Sequence, residues 1–445
     1  MKICIKLFLV FFAFTKCVSG QADQIIHEKL TNFVFLSCNY QKGKVNEELL
    51  KAVEKRNPQL MLWIGDYFYS ECSELKCLDE VYNYIKNDSF YLRLKEKFVI
   101  DGIYDDHDYN KNNGDRLYKY KKESKTKYLD YLNVDKSDIR YKRNGAYVSK
   151  LYIDPNDENN QVKIIILDTR YNKDPYPFYA PDSYKDHIIH IFISFFVRFH
   201  AALFGLYHNS KNDILGNEQW KWLEKELTNS KARAHIVISS IQIFSNHVMN
   251  ENWGLMPFAL KRLKSVIKKT KPKGLIFLSG DVHFASIIGN EENIVEVTSS
   301  SVNQENLLSY VNKYFIYLST NIFNKRSSFE LNKIYGFNNF GSVNINYKNE
   351  NEINIKTCVH DSHGVEVLIA NQVFNKKKNI YEKSKNLHVI NDEFATFTYK
   401  TQAKICMHII IYILLLLWFL QVLFIICKLL GLCKSKKVNK KTKEA

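Results

Sequence analysis

Short apolar runs recur along the first two thirds of the chain, and each stops abruptly at a polar or glycine-bearing cluster. Residues 33–37, 60–64, 98–104, 162–168, 235–239 and 275–279 carry this pattern, which predicts buried strands. Residues 47–56 space their apolar positions as a helix does, and so do Trp220, Leu223 and Leu227, which read as core packing. The chain therefore starts as alternating strand and helix. Later segments, 294–298, 341–347, 353–358 and 365–369, read as strands of a second sheet. The expected fold class is α/β, a two-sheet β-sandwich flanked by helices. No internal repeat is evident.

Two segments break the pattern at the ends. Lys2 and Lys6 flank an apolar stretch over residues 7–14, and Val18-Ser19-Gly20 supplies small residues for cleavage, so residues 1–20 read as a signal peptide. Residues 405–427 are almost uninterrupted apolar side chains, long enough to cross a bilayer, and only His408 and Gln421 are strongly polar. The lysine-rich tail 428–445 then predicts a cytosolic C-terminus by the positive-inside rule. This organisation places a domain over residues 21–372, with an insertion at 171–215, outside the cytosol. Residues 373–404 form a C-terminal extension and linker. The expected location is the secretory pathway or cell surface, as a single-pass type I membrane protein. Within the insertion, residues 187–208 are apolar but hold Arg198 and four histidines, which argues against a span. A helix packed on the domain, an interfacial membrane contact and a substrate lid remain open readings of it, with extra metal ligation by its histidines a weaker one.

Composition adds limits. With 46% hydrophobic and 14% aromatic residues the chain is not wholly disordered, and its Lys, Asn, Ile and Tyr bias fits an AT-rich genome, such as a protist's. The formal charge of +16 is spread along the sequence without a nucleic-acid recognition motif, so no nucleic-acid partner is expected. No protein partner is inferable. Of nine cysteines, Cys72 and Cys77 close a short polar loop and are expected to pair, whereas Cys38 should remain unpaired.

Chemistry concentrates at three strand ends: Gly65-Asp66-Tyr67-Phe68-Tyr69, Asp105-Asp106-His107-Asp108 and Gly280-Asp281-Val282-His283. Ligands in sheets with parallel strands gather at the carboxyl ends of those strands. Carboxylate, phenolate and imidazole suit iron(III), calcium, zinc or manganese, and the thiolate of Cys38 suits the softer ions. Neighbouring carboxylates in the second cluster repel one another unless a cation intervenes. A nucleophile elbow, a Walker-type loop and a dinucleotide fingerprint are all absent from the sequence.

Taken in order, Ser37-Cys38-Asn39, the Gly65 and Asp105 clusters with Tyr109, Leu167-Asp168-Thr169-Arg170, 218–223 and 278–285 resemble the PhoD-like alkaline phosphatase family, a branch of the calcineurin-like metallophosphoesterases. The resemblance runs from about Phe33 to about Ser301. It implies that Asp66 bridges two metal ions, that Cys38 and Tyr69 bind an iron(III)-like ion, and that Asp106 and Asp281 serve a calcium-like neighbour, with His283 completing the set. It further implies that His107 protonates the leaving oxygen, that Asp108 orients it, and that Arg170 steadies the phosphate or forms a structural ion pair with Asp168 or another carboxylate. Where the family has Gly and Asp, this chain has Asn110 and Asn113. Asn tolerates positive φ, which limits the backbone cost at Asn110, and Asn112 remains as a neutral oxygen ligand or a turn former. The implied activity is metal-dependent hydrolysis of phosphate esters. A phospholipid-directed phosphoesterase and an inactive membrane scaffold or receptor are the alternatives.

Overall fold

In the computed structural model the apolar runs become strands of two stacked sheets. The structure describes residues 22–42, 47–70, 74–176, 197–198, 201, 206–207, 211–245, 250–289, 294–304, 334–375, 379–381, 412–423 and 425–426. In chain order the first elements are β1 (Gln24–Ile26), β2 (Asn32–Leu36), α1 (Glu47–Lys55), β3 (Met61–Ile64), α2 (Leu75–Lys86), α3 (Ser89–Lys97) and β4 (Ile100–Ile103). Next come α4 (Lys121–Tyr131), α5 (Ile139–Lys142), β5 (Val148–Asp154), β6 (Asp157–Ile166), α6 (Gly216–Leu227), β7 (Ala234–Ser239), α7 (Pro257–Thr270) and β8 (Leu275–Ser279). The remaining strands are β9 (Ala285–Gly289), β10 (Val295–Thr298), β11 (Ile334–Tyr335), β12 (Asn339–Asn349), β13 (Glu352–Asp361), β14 (Glu366–Asn375) and β15 (Asn379–Tyr381).

One sheet has the order β1-β5-β6-β7-β8-β10-β9-β11, the other β15-β14-β13-β12-β2-β3-β4. Strands β2, β3 and β4 run parallel, as do β6, β7, β8 and β10. Strands β3, β7 and β8 are buried on both faces, which accounts for their unbroken apolar runs. Side-chain alternation divides the core into two layers. Ile164, Ile166, Ile236 and Ile238 point into the inter-sheet core with Phe33 and Phe35. Ile165, Val237 and Phe277 point the other way, under Trp220, Leu223 and Leu227 of α6 and Leu263 of α7.

The partition of strands differs from the sequence expectation. Within residues 294–298, Val295–Thr298 form β10 in the same sheet as β6, β7 and β8, while β12 to β14 join the N-terminal strands through antiparallel pairing of β12 with β2. Strand β2 pairs with β3 on one side only, and its other edge needs hydrogen-bond partners that β12 supplies. Periodicity marks a strand without recording which edge it fills. Strand β14 also runs through the expected domain boundary at residue 372 and is followed by β15.

The expected signal peptide lies outside the described residues. Of the expected span 405–427, residues 412–423 and 425–426 are described; they are helical, and Leu417 and Trp418 among them are exposed. Among the described residues no helix is long and apolar enough to cross a membrane. The insertion's four histidines fall outside the described residues, but Arg198 is described and buried. Cys77 is disulfide-bonded, and Cys72 lies outside the described residues.

Candidate metal centre

Strand ends from both sheets converge on one site. Cys38 follows β2, Asp66 and Tyr69 follow β3, Asp106 and His107 follow β4, and Asp281 and His283 follow β8. Their donor atoms collect into three groups: Cys38 with Asp66 and His283, Asp66 with Asp106 and His107, and Asp66 with Asp105, Asp106 and Asp281. Within each group the donor atoms lie within 4.8 Å of one another, and Asp66 belongs to all three.

The turns that gather these side chains are strained. Cys38 (φ 58°), Asp66 (φ 51°), Asp281 (φ 75°) and His283 (φ 58°) all occupy the left-handed region. The cost is about 1–2 kcal/mol for a residue such as Cys38, and less for Asp66, Asp281 and His283, whose residue types tolerate this region better. Strain retained at four donor residues of one site points to function. Gly65 and Gly280 let the turns approach: a Cβ on Gly65 would sit 2.6 Å from Asp105 Cβ, and one on Gly280 would sit 2.6 Å from Ser37 Oγ.

Tyr69 Oη lies 3.3 Å from Asp66 Oδ2 and 3.1 Å from His283 Nε2. Cys38 Sγ lies 3.7 Å from Asp66 Oδ2 and 3.1 Å from Ser300 Oγ, and the same hydroxyl accepts from the His283 amide at 2.9 Å. On the other side, the Asn113 amide donates to Asp106 Oδ2 at 2.6 Å, and Asn113 Oδ1 accepts from Arg198 at 2.8 Å. Asn110 takes φ 72° and donates its amide to Tyr118 Oη at 2.7 Å, so it fills the backbone role expected of it. Asn112 sits half-buried in the same turn, one residue before Asn113.

The electrostatics match a cation site. Burial, and then the charge of Asp106, push the Asp66 carboxyl well above its ordinary range. Burial followed by Asp105 does the same to Asp281, and burial raises the Cys38 thiol and the Tyr69 phenol. At an effective dielectric near 20, two carboxylates about 4.8 Å apart repel by about 3.5 kcal/mol. Within the four-carboxylate group, Asp105 has Arg170 as counter-ion, and Asp106 Oδ1 is buried without a hydrogen-bond partner among the described residues. Carboxylates, an imidazole, a phenol and a thiol in this crowded arrangement fit bound metal ions.

One expected role changes, and Arg170 takes the structural one of its two. Asp108 does not orient His107: its Oδ1 accepts from the Asp105 amide at 2.6 Å and its Oδ2 from the Tyr67 amide at 3.2 Å. Backbone amides of these irregular turns need acceptors, and a buried carboxylate supplies them. His107 instead packs against the Tyr69 ring at 4.1 Å, with Nε2 4.0 Å from Asp106 Oδ1 and Nδ1 lacking a hydrogen-bond partner among the described residues. Burial lowers its pKa, with Asp106 opposing. Arg170 pairs with Asp105 and with Glu251, at 2.6 Å each for the nearest contact, and not with Asp168, whose carboxylate accepts backbone amides of Arg170 and Tyr171 at 2.9 Å.

Asp105, Ser300, Glu251 and Arg198 were not among the residues expected at the site. Asp105 was visible as the first member of its acidic cluster, and Ser300 in the serine run that ends β10, the same strand-end signal as the others. Glu251, held near 2 by Arg170 and Lys173 against the penalty of burial, carries no sequence signal.

Residues 80–354 match the family model of the PhoD-like phosphatases, more than half of the 445-residue chain. The chain belongs to the PhoD-like phosphatase family. It is therefore a phosphoric ester hydrolase, and its donor groups agree with the metal dependence of such enzymes. Its fold is that of the solved structure of PhoD, with a TM-score of 0.52 and 16% identity over 88% of this chain and 79% of that one. A dimetal phosphatase from Danio rerio is a more distant likeness, with a TM-score of 0.40 and 12% identity over 78% of this chain and 99% of that one. No curated protein matches. The family match begins after the Cys38 and Asp66 turns, so the contribution of those turns to this PhoD-like site rests on their geometry.

Proposed function

We propose that this PhoD-like phosphatase is a membrane-anchored phosphomonoesterase or phosphodiesterase working on the lumenal or extracellular side, with iron(III) and calcium as its ions. The observation that carries the site reading is the sharing of Asp66 by all three donor groups. Asp66 would serve both ions. Cys38, Tyr69 and His283 would hold the iron(III)-like ion, and Asp106 and Asp281, with Asn112 nearby, the calcium-like neighbour; zinc or manganese are the substitutes. Ions held there would supply positive charge for the phosphoryl oxygens and an acidified water.

The chain's own groups do the rest. His107, 23% exposed at its side chain, is the group able to give a proton to the leaving oxygen. Arg170 acts indirectly, by fixing Asp105 beside Asp66 and Asp106. Anchoring is supported by the apolar composition of residues 405–427 and by the exposed apolar side chains over 412–423 and 425–426, and export by the disulfide at Cys77. The domain limits proposed are a leader over 1–20, a catalytic domain from 21 with its insertion at 171–215, an anchor at 405–427 and a cytosolic tail. The same exposed apolar helix favours a second reading, action on phospholipid head groups. Turnover of the metal-loaded chain on a monoester, a diester and phospholipid vesicles tests these readings. Hydrolysis of none of the three, with metals bound, would overturn both.

A further inference from the structure

The opposite end of β2 from Cys38 borders a second polar cavity. It has a volume of about 330 Å³, and its polar lining is Asn32, Lys55, Arg56, Ser342, Asn344 and His363, with no carboxylate among the lining residues. Arg56 has no carboxylate partner among the described residues. Its Nη2 donates to His360 Nδ1 and to the Gly364 carbonyl, both at 2.9 Å, and its Nε is buried without a hydrogen-bond partner.

The polarity of the hydrogen-bond chain follows from Arg56. A guanidinium only donates, so His360 Nδ1 accepts and the ring proton sits on Nε2. His360 is fully buried, and burial, with Arg56 beside it, pushes its pKa down to about 3, which keeps the ring neutral. His360 Nε2–H therefore donates to Ser342 Oγ at 2.7 Å. The serine's own proton then has no acceptor among the described residues. This arrangement excludes a nucleophile–base pair, because the imidazole gives Ser342 a proton rather than taking one. At the end of α1, the carbonyls of Arg56 and Asn57 accept from Asn32 Nδ2 at 3.4 Å, so these acceptors already have a donor. Lys55 is exposed at the rim, and His363, at 3.2 Å from Glu48, stands opposite.

We propose that this cavity binds a phosphate group, free or carried by a small organic molecule, through Arg56 and the Ser342 hydroxyl with Lys55 at its rim, independently of the metal centre. Two donors at this cavity, Arg56 Nε and the Ser342 hydroxyl, lack an acceptor among the described residues, and an oxyanion is a ligand that satisfies both. The volume exceeds that of inorganic phosphate and lies at the lower end of small-ligand sites, which leaves room for an organic part.

Equilibrium dialysis of radiolabelled inorganic phosphate against the metal-loaded full chain tests this. Two classes of bound phosphate are expected. Arg56→Gln should weaken one class at least about tenfold, the scale of a lost charged hydrogen bond, while Asp66→Asn removes the other. Lys55→Gln, an exposed change, and Ser342→Ala should each weaken the Arg56 class several-fold, and they carry the test if Arg56→Gln does not fold. Phenylphosphonate, which has no ester to hydrolyse, should compete for this class; tighter binding than phosphate assigns the site to organic phosphates, and equal binding assigns it to the free ion. Loss of all bound phosphate in Asp66→Asn, or unchanged binding in Lys55→Gln and Ser342→Ala together, would overturn the proposal.

Discussion

Arg170 Nε and Nη2 lie 2.6 and 2.8 Å from the two oxygens of Asp105, a two-pronged pair in which both side chains are fully buried. Because the same guanidinium also meets Glu251, its removal leaves Asp105 without a counter-ion among the described residues and Glu251 with Lys173 alone, at 3.6 Å. Arg170→Met is expected to cost about 3–5 kcal/mol in denaturant unfolding, the usual scale for breaking a buried ion pair from one side. Arg170→Lys keeps the charge and loses the fork, so its cost should be smaller. If Arg170 served only to hold substrate phosphate, both variants would unfold as the parent does and only KM would rise.

That pair also shows where sequence reading stops. The strand-end clusters were legible because strand, turn and donor are contiguous, so Asp66, Asp106, Asp281 and His283 could be placed before any fold was known. Asp105 and Asp108 flank the same cluster, yet one binds a guanidinium and the other two backbone amides. Nothing in the spelling of the cluster separates those fates, since the partners Arg170 and Tyr67 come from other turns. Sheet membership fails for a similar reason: β10 and β12 have comparable apolar patterns, and the free edge of β2 decides which one joins it.

The crowded carboxylates predict how metal removal depends on pH. Asp66 and Asp281 are raised by burial in the metal-free fold, so their contribution to stability is complete below the unfolded carboxyl value of about 4 and is lost as pH rises through the folded value. Bound cations take the place of those protons and remove the loss. Stripping the metals should therefore lower the melting temperature more at about pH 8 than at about pH 5, with iron and calcium recovered by elemental analysis from the untreated chain. Equal effects at the two pH values would show that the cluster is not a metal site.

The anchor and the disulfide make a joint prediction about topology. In the proposed topology the disulfide at Cys77 lies in an oxidising compartment, and the lysine-rich tail beyond residue 427 lies on the cytosolic side. Protease added to sealed vesicles of secretory-pathway membrane should leave the catalytic domain intact and trim only the tail. Digestion of the domain under those conditions would place it in the cytosol.

His107 provides the sharpest separation of proton transfer from metal assembly. Its ring packs on Tyr69 rather than on Asp108, and its amide, at 3.3 Å from Asp66 Oδ1, can stay in place when the side chain changes. His107→Asn is therefore expected to retain most bound metal while losing on the order of 100-fold or more in turnover on alkyl phosphates, the scale of general acid catalysis. Esters with good leaving groups need little protonation and should lose less. Burial lowers the His107 pKa below its ordinary value, so the protonated fraction falls as pH rises through that lowered value. In the parent enzyme, turnover of alkyl esters should accordingly decline relative to aryl esters with rising pH, and His107→Asn should abolish that difference. Equal losses on both ester types, together with loss of metal, would make His107 a ligand instead of an acid.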